Sequence, residues 1–193
     1  IDRLTLSTCE VDGFEKIYSH LENVVLAEVL TVEKHPSADR LSVCQVKAGA
    51  QKWTIVCGAP NVAAGQLVPL AKIGCELPSA DGVKKISETN IRGVVSKGML
   101  CSAQEIGLEK ITGETAGLLV LNDRKKKKKS GTPLSEIFPL KDTILDIDNK
   151  SITHRPDLWC HFGFAREIAA IFHKKIKFDP LASKKPAADP SLP

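Results

Sequence analysis

Val56-Cys57-Gly58-Ala59-Pro60-Asn61-Val62 is followed, some thirty residues on, by Arg92-Gly93-Val94-Val95-Ser96-Lys97-Gly98-Met99-Leu100-Cys101-Ser102. The first stretch sets Gly58 and Pro60 directly behind a β-branched run, and the pair forces the chain to turn there. The second has two glycines framing a polar, basic turn, followed by a short apolar run. Neither half reads like an enzyme site. Together they read as two turns of a small β-barrel.

The sequence on either side continues in the same style. Residues 23–32 are β-branched and suit a long strand, which His35-Pro36 ends. Residues 37–40 form a turn. Residues 41–47 alternate apolar and polar with period two, as a strand with one buried face does. After a turn at Ala48-Gly49-Ala50, residues 52–57 form a third strand and 67–73 a fourth, in which Pro69 implies an edge or a bulge. Residues 84–91 supply a fifth strand that carries Arg92 outward. Residues 103–107 leave room for one helical turn, and 118–121 make a last short strand. Many short strands separated by Gly, Pro and Asn turns predict a closed or partly closed barrel of the OB type, with additions.

The flanks differ. Residues 1–22 read as a short helix or extended piece, then a strand, with a turn-like Asp12-Gly13. Residues 143–148 alternate like a strand. From Asp157 the period becomes helical, with Leu158, Phe162, Ala165, Ala169 and Phe172 on one stripe. Pro156-Asp157 suits a helix start, with the Asp carboxylate receiving first-turn N–H groups. Neither flank is long enough to bury its apolar face alone. The N-terminal strand is therefore expected to pair with 143–148 under the helix. Residues 181–193 read as a linker or tail, and the chain reads as a piece of a longer one.

The formal net charge of +4 is not spread evenly: Arg124, Lys125, Lys126, Lys127, Lys128 and Lys129 supply more than all of it. This is a near-neutral protein with one basic loop, expected to attract polyanions at long range. Aromatic residues are 5% of the chain, so the core is aliphatic. Stacking of successive single-stranded bases lacks its usual platforms for the same reason, and backbone and shape contacts to folded RNA fit better. The cysteines lack close metal-site spacing and read as free, buried thiols. No apolar run is long enough to span a membrane and no leader pattern opens the chain, so a cytoplasmic location is expected.

Candidate contact residues lie on the predicted loops. Lys34, His35 and Arg40 flank the first one, where an OB-fold commonly meets oligonucleotide. The bland alternative is solvated loop charge. Asn61 is either a turn residue that tolerates left-handed backbone or an RNA contact. Arg92, Lys97 and Ser102 surround the glycine-framed turn, where short donors suit phosphate oxygens. Met99 reads as core. A Cys57–His35 nucleophile would need contact that spacing alone does not establish. The Asp146/Asp148 pair and the group His154, Cys160, His161 match no standard metal site. Arg155 and Asp157 are expected in a structural turn, and Arg166 and Glu167 on different helix faces. The residues thus give neither catalytic nor metal-binding assignments.

Val32-Glu-Lys-His-Pro-Ser-Ala-Asp-Arg-Leu, Ile55-Val-Cys-Gly-Ala-Pro-Asn-Val and Ser96-Lys-Gly-Met-Leu-Cys-Ser resemble the tRNA-binding domain shared by several aminoacyl-tRNA synthetase systems. Leu145-Asp-Ile-Asp, Arg155-Pro-Asp-Leu and Ala165-Arg-Glu-Ile-Ala-Ala, with the opening residues 3–15, narrow the resemblance to the beta chains of bacterial phenylalanyl-tRNA synthetases. His154 departs from that family, which usually has Asn there.

The resemblance implies a mainly β chain: an OB-fold tRNA-binding domain at 23–121, a basic loop and connector at 122–142, and a small discontinuous α/β domain from 1–22 with 143–180. For the whole enzyme it implies charging of tRNA with phenylalanine, using ATP and magnesium, by two alpha and two beta chains. This piece would bind tRNA, hold no cofactor and catalyse nothing. The alternative is a free-standing tRNA-binding or chaperone-like module.

Overall fold

The computed structural model describes residues 1–79, 82–114, 116–122, 128–148 and 150–177. In chain order the elements are α1 (Asp2–Ser7), β1 (Val11–Ile17), β2 (Val24–His35), β3 (Ala38–Ala48), β4 (Gln51–Cys57), β5 (Leu67–Ala71), β6 (Glu76–Ser79), β7 (Gly82–Lys85), β8 (Thr89–Ile91), β9 (Val94–Ser96), β10 (Met99–Leu100), α2 (Glu109–Thr112), α3 (Leu134–Ile137), β11 (Asp142–Ile147) and α4 (His161–Ile171). The protein is mainly β. It divides into two compact units, Lys16–Asp142 and Ile1–Glu15 with Thr143–Pro193.

The larger unit is built on a five-stranded antiparallel sheet in the order β10-β5-β2-β3-β4. Its two ends meet where the Lys97 N–H donates to the Thr54 carbonyl at 3.0 Å, which gives the OB-like curl. Gly98 permits the close pairing of β10 with β5 beside it. Its φ is +136°, and a Cβ there would stand 2.7 Å from the Ala71 carbonyl oxygen.

Period two sorts the side chains. Val25, Ala27 and Val29 of β2 join Cys44 and Val46, Ile55, Val68 and Leu70 in one buried cluster. Val24 and Leu26 point the other way, into a second cluster with Leu77, Ile106, Leu119 and Leu134. The first half of β2 is therefore buried on both faces, which is why it reads as a continuous apolar run.

Several expectations need correction. The turn after β2 is only Pro36-Ser37, because Ala38–Arg40 already belong to β3. Pro69 lies on neither an edge nor a bulge, since β5 has β2 on one side and β10 on the other. It is tolerated because Leu26, opposite it, sends its N–H and C=O to Thr132 and Gly131, so Pro69 faces away from β2. There its carbonyl accepts from Cys101 at 3.0 Å, and β10 is only two residues long.

The single strand expected at 84–91 is two hairpins, β6–β7 and β8–β9. Residues 118–121 form no strand. They are tied down piecemeal, Leu119 to the Cys101 carbonyl and Leu121 to that of Leu67. The expected helical turn is present as a 3₁₀ turn at Gln104–Ile106.

In the smaller unit β1 pairs with β11. The apolar stripe that covers it is not the expected one. Leu4, Cys9, Ile152 and Leu158 form the core, with Phe164, Ile168 and Ile171 packed against it. Ala165 and Phe172 are exposed. The stripe differs because α4 begins at His161, not at 157. Pro156–Leu158 is a separate 3₁₀ turn, and Cys160 caps α4 by accepting the Gly163 N–H on its sulfur. Five thiols, Cys9, Cys44, Cys57, Cys75 and Cys101, are free and buried as expected, while Cys160 is exposed. No helix among the described residues is long and apolar enough to cross a membrane. The tail at 181–193 and residues 123–127 of the basic run lie outside the described residues.

Candidate nucleic-acid interface

The Cys57-Gly58-Ala59 turn and the glycine-framed turn around Lys97 line one groove of about 720 Å³. Val56 to Ala59 form one wall, and Ser96, Gly98, Met99 and Ser102 another. The two small hairpins add Lys84, Lys85, Ser87 and Thr89. Ser96 holds the walls together: its hydroxyl accepts from the Val56 N–H at 3.1 Å and donates to the Gly98 carbonyl at 3.0 Å.

The structure separates the expected contact residues into two kinds. Lys34, Arg40, Arg92 and Lys97 are exposed. Arg92 and Gly93 form the two-residue turn of β8–β9 with φ of +48° and +92°, the pattern of a type I′ hairpin turn. From there the Arg92 guanidinium reaches the tip of the β2–β3 hairpin and donates to the Ser37 carbonyl at 3.2 Å. One bond thus joins two loops separated by 55 residues.

The side chains of the other three bond within the protein, although Asn61 is exposed as well. His35 is only 5% exposed, and its two ring nitrogens engage the Ser37 N–H at 3.1 Å and the Ile91 carbonyl at 3.0 Å. Asn61 clamps the backbone of Leu118. Ser102 is bonded into the start of the 3₁₀ turn Gln104–Ile106. Its N–H and hydroxyl both donate to the Glu105 carboxylate, at 2.7 and 2.9 Å, and the Glu105 N–H returns to the hydroxyl at 3.2 Å. Ser102-Ala-Gln-Glu105 is a capping box that the sequence displays in plain form.

Lys84 and Lys85 escape sequence reasoning because a single strand through 84–91 conceals the hairpin that presents them. The break in apolar alternation from Lys84 to Asn90 is the available signal. Of the basic run, Lys128 pairs with Glu136 at 2.9 Å, and the Lys129 carbonyl accepts from the Thr132 hydroxyl at 2.7 Å.

The thiols in and around the groove are held in the protonated form. Burial, with the Glu105 charge adding, pushes the Cys57 thiol up from its ordinary range, opposed by the Ala59 N–H. Cys44 is pushed up to about 11 by burial and the nearby Cys57. Burial first, then the Glu105 carboxylate, likewise raises Cys101. Neither partner of His35 is Cys57. Among the described residues of the smaller unit, the carboxylates that converge as a group are Glu10, Asp12 and Asp148, without Asp146. Lys150 neutralises Asp148 at 2.9 Å and donates its N–H to it at 2.8 Å. His154, Cys160 and His161 form no common cluster among the described residues.

An OB-like sheet with a cleft beside a rim of exposed Lys and Arg defines a small binding module for a polyanionic ligand. The chain belongs to the putative tRNA binding domain family, whose model matches residues 24–129. It is 42% identical over 181 residues to the phenylalanine–tRNA ligase beta subunit of Leptospira biflexa, covering 94% of this chain and 21% of that protein. To the same subunit of Syntrophus aciditrophicus it is 40% identical over 189 residues, covering 97% and 22%. The chain therefore spans about one fifth of the length of the curated relatives it matches. Among solved structures, a MetRS related protein from Pyrococcus horikoshii overlays with a TM-score of 0.38 at 16% identity, covering 56% of this chain and 85% of that one.

Proposed function

We propose that this chain is the tRNA-binding, N-terminal region of the beta subunit of a phenylalanine–tRNA ligase. The observation that carries the reading is the extent of the likeness. It covers 94% of the chain, whereas the tRNA-binding family model stops at residue 129. The likeness thus includes the flanking unit that a free-standing module has no need of. In the whole enzyme, two alpha and two beta chains in the cytoplasm would charge tRNA with phenylalanine, using ATP and magnesium. This region supplies RNA contact and no catalytic group. The OB-like unit is an insertion in the small domain made from both ends of the chain.

Contact is assigned to the exposed rim, Lys34, Arg40, Arg92 and Lys97, with Lys84 and Lys85 added from the groove. Few aromatics and modest charge favour weak recognition of backbone and shape. Binding of several unrelated tRNA transcripts, measured at matched salt, tests this. Affinities within a few-fold of one another are expected, and log K should fall linearly with log salt by roughly 0.7–0.9 per phosphate neutralised. No binding at low salt overturns the reading, and widely different affinities overturn the backbone-and-shape mode.

A further inference from the structure

Ser37 sits at the tip of the β2–β3 hairpin, and side chains from outside its two-residue turn hold both of its backbone polar groups. Its N–H donates to His35 Nδ1 at 3.1 Å, and its carbonyl accepts from Arg92 at 3.2 Å. Because Nδ1 accepts, the ring proton is on Nε2, and that group donates to the Ile91 carbonyl at 3.0 Å. Two bonds, from His35 and from Arg92, therefore cross between the β2–β3 and β8–β9 hairpins at adjacent residues. His35 is buried beneath them while Lys34, Arg40 and Arg92 stay exposed around it. The Arg92 guanidinium has five N–H donors, so one bond to Ser37 leaves the group able to meet a phosphate.

We infer that His35 is a positioning residue: with Arg92 it latches the two hairpins into one rigid basic rim, and it makes no contact with RNA itself. Two separate loops would each lose conformational freedom when they closed on a phosphate backbone. A latched pair has lost it already, so the loss no longer weakens binding. This rests on the tRNA-binding reading above.

The test uses the full 193-residue chain and a bulk tRNA transcript, with affinity and salt slope measured for H35A, H35N and H35Q. The wild-type titration tests the tRNA-binding reading alone. Gln can place a donor near the position of Nε2 and keep the cross-hairpin bond to Ile91. Asn can place an acceptor near Nδ1 and keep only the local bond to Ser37. H35A is expected to weaken binding about 3- to 10-fold with the salt slope unchanged. H35Q should recover most of the loss and H35N little of it. Amide exchange at Ser37 should quicken in H35A while the β2–β5 amides stay protected, which separates a loosened rim from a failed fold and needs no RNA.

A fall in salt slope with H35A would make His35 a direct phosphate contact and overturn the inference. Unchanged affinity in H35A with a freely exchanging Ser37 also overturns it, because the latch would then be irrelevant to binding. Better recovery in H35N than in H35Q does the same, by showing that the cross-hairpin bond is not the one that matters.

Discussion

Asn61 and Leu118 pair as two strand residues would, although one of them contributes a side chain. The Leu118 N–H donates to Asn61 Oδ1 at 2.8 Å, and Asn61 Nδ2 donates to the Leu118 carbonyl at 3.0 Å. The carbonyl of Asn61 is taken by Gln66 at 2.9 Å. The side-chain amide thus substitutes for a neighbouring backbone, and residues 118–121 line the sheet without belonging to it.

Asn61→Asp should therefore act on stability. It removes the donor to the Leu118 carbonyl and sets a charge against that oxygen, at a cost of about 1–3 kcal/mol. Chemical denaturation should show a lower midpoint. tRNA affinity measured well below the transition should stay within about threefold. A large loss of affinity at unchanged stability would return Asn61 to the RNA-contact residues.

The thiols should react unequally. Burial holds Cys9, Cys44, Cys57, Cys75 and Cys101 protonated beyond their ordinary range, whereas Cys160 is exposed. Brief iodoacetamide treatment at about pH 8, read by peptide mass spectrometry, should label Cys160 first, with the other five following only on unfolding. Because the Cys160 sulfur caps α4, the labelled protein should show faster amide exchange in the first turn of that helix. Early labelling of Cys57 would mean that the groove opens far more than its geometry indicates.

The small unit should be acid-sensitive. Glu167 accepts from the Thr8 hydroxyl at 2.7 Å and from Arg155 at 3.1 Å, and those bonds hold its carboxyl below the ordinary range. Arg155 also lowers Asp157 through a two-pronged pair at 2.9 and 2.8 Å. A carboxylate with a depressed native pKa binds fewer protons folded than unfolded, so its contribution is complete above the ordinary pKa and is lost as pH falls through the native one. Protection of α4 amides should decline below about pH 4, and Glu167→Gln should lose part of that protection already at neutral pH, with a cost of about 1 kcal/mol. Identical pH profiles for the two proteins would remove Glu167 from the account.

Replacing Lys125 to Lys129 with Ser should flatten the salt dependence of tRNA binding, by roughly 0.7–0.9 of slope for each phosphate no longer neutralised. The fold should survive, because the ion pair removed among the described residues, Lys128 to Glu136, is exposed and worth little. An unchanged slope would make the run a bystander.

Part of this architecture is legible in the sequence because it is local. The alternation in residues 41–47, the turn at Gly49-Ala50 and the aliphatic character of β2 are properties of neighbours along the chain, and strand geometry reads them directly. The pairing of β1 with β11 follows from the same logic, since two short apolar faces each need a partner. Expectation and structure part where a side chain competes with the backbone. The sulfur cap at Cys160 sets the start of α4, and with it the buried stripe, at Phe164, Ile168 and Ile171. Residues 86–88, which belong to no strand, divide 84–91, where no apolar alternation exists to carry one.

Composition and motif alone determined a mainly β chain and its kinship. They also pointed to Lys34, Arg40, Arg92 and Lys97 as exposed charge. Tertiary structure decided what the side chains of His35, Asn61 and Ser102 bond to. A polar residue in a loop motif looks the same whether it faces solvent or closes the hydrogen bonds of a distant backbone. Only the fold brings Ile91 to His35 and Leu118 to Asn61, and a buried donor or acceptor is held by whichever partner arrives, because leaving it unpaired costs more than the pairing.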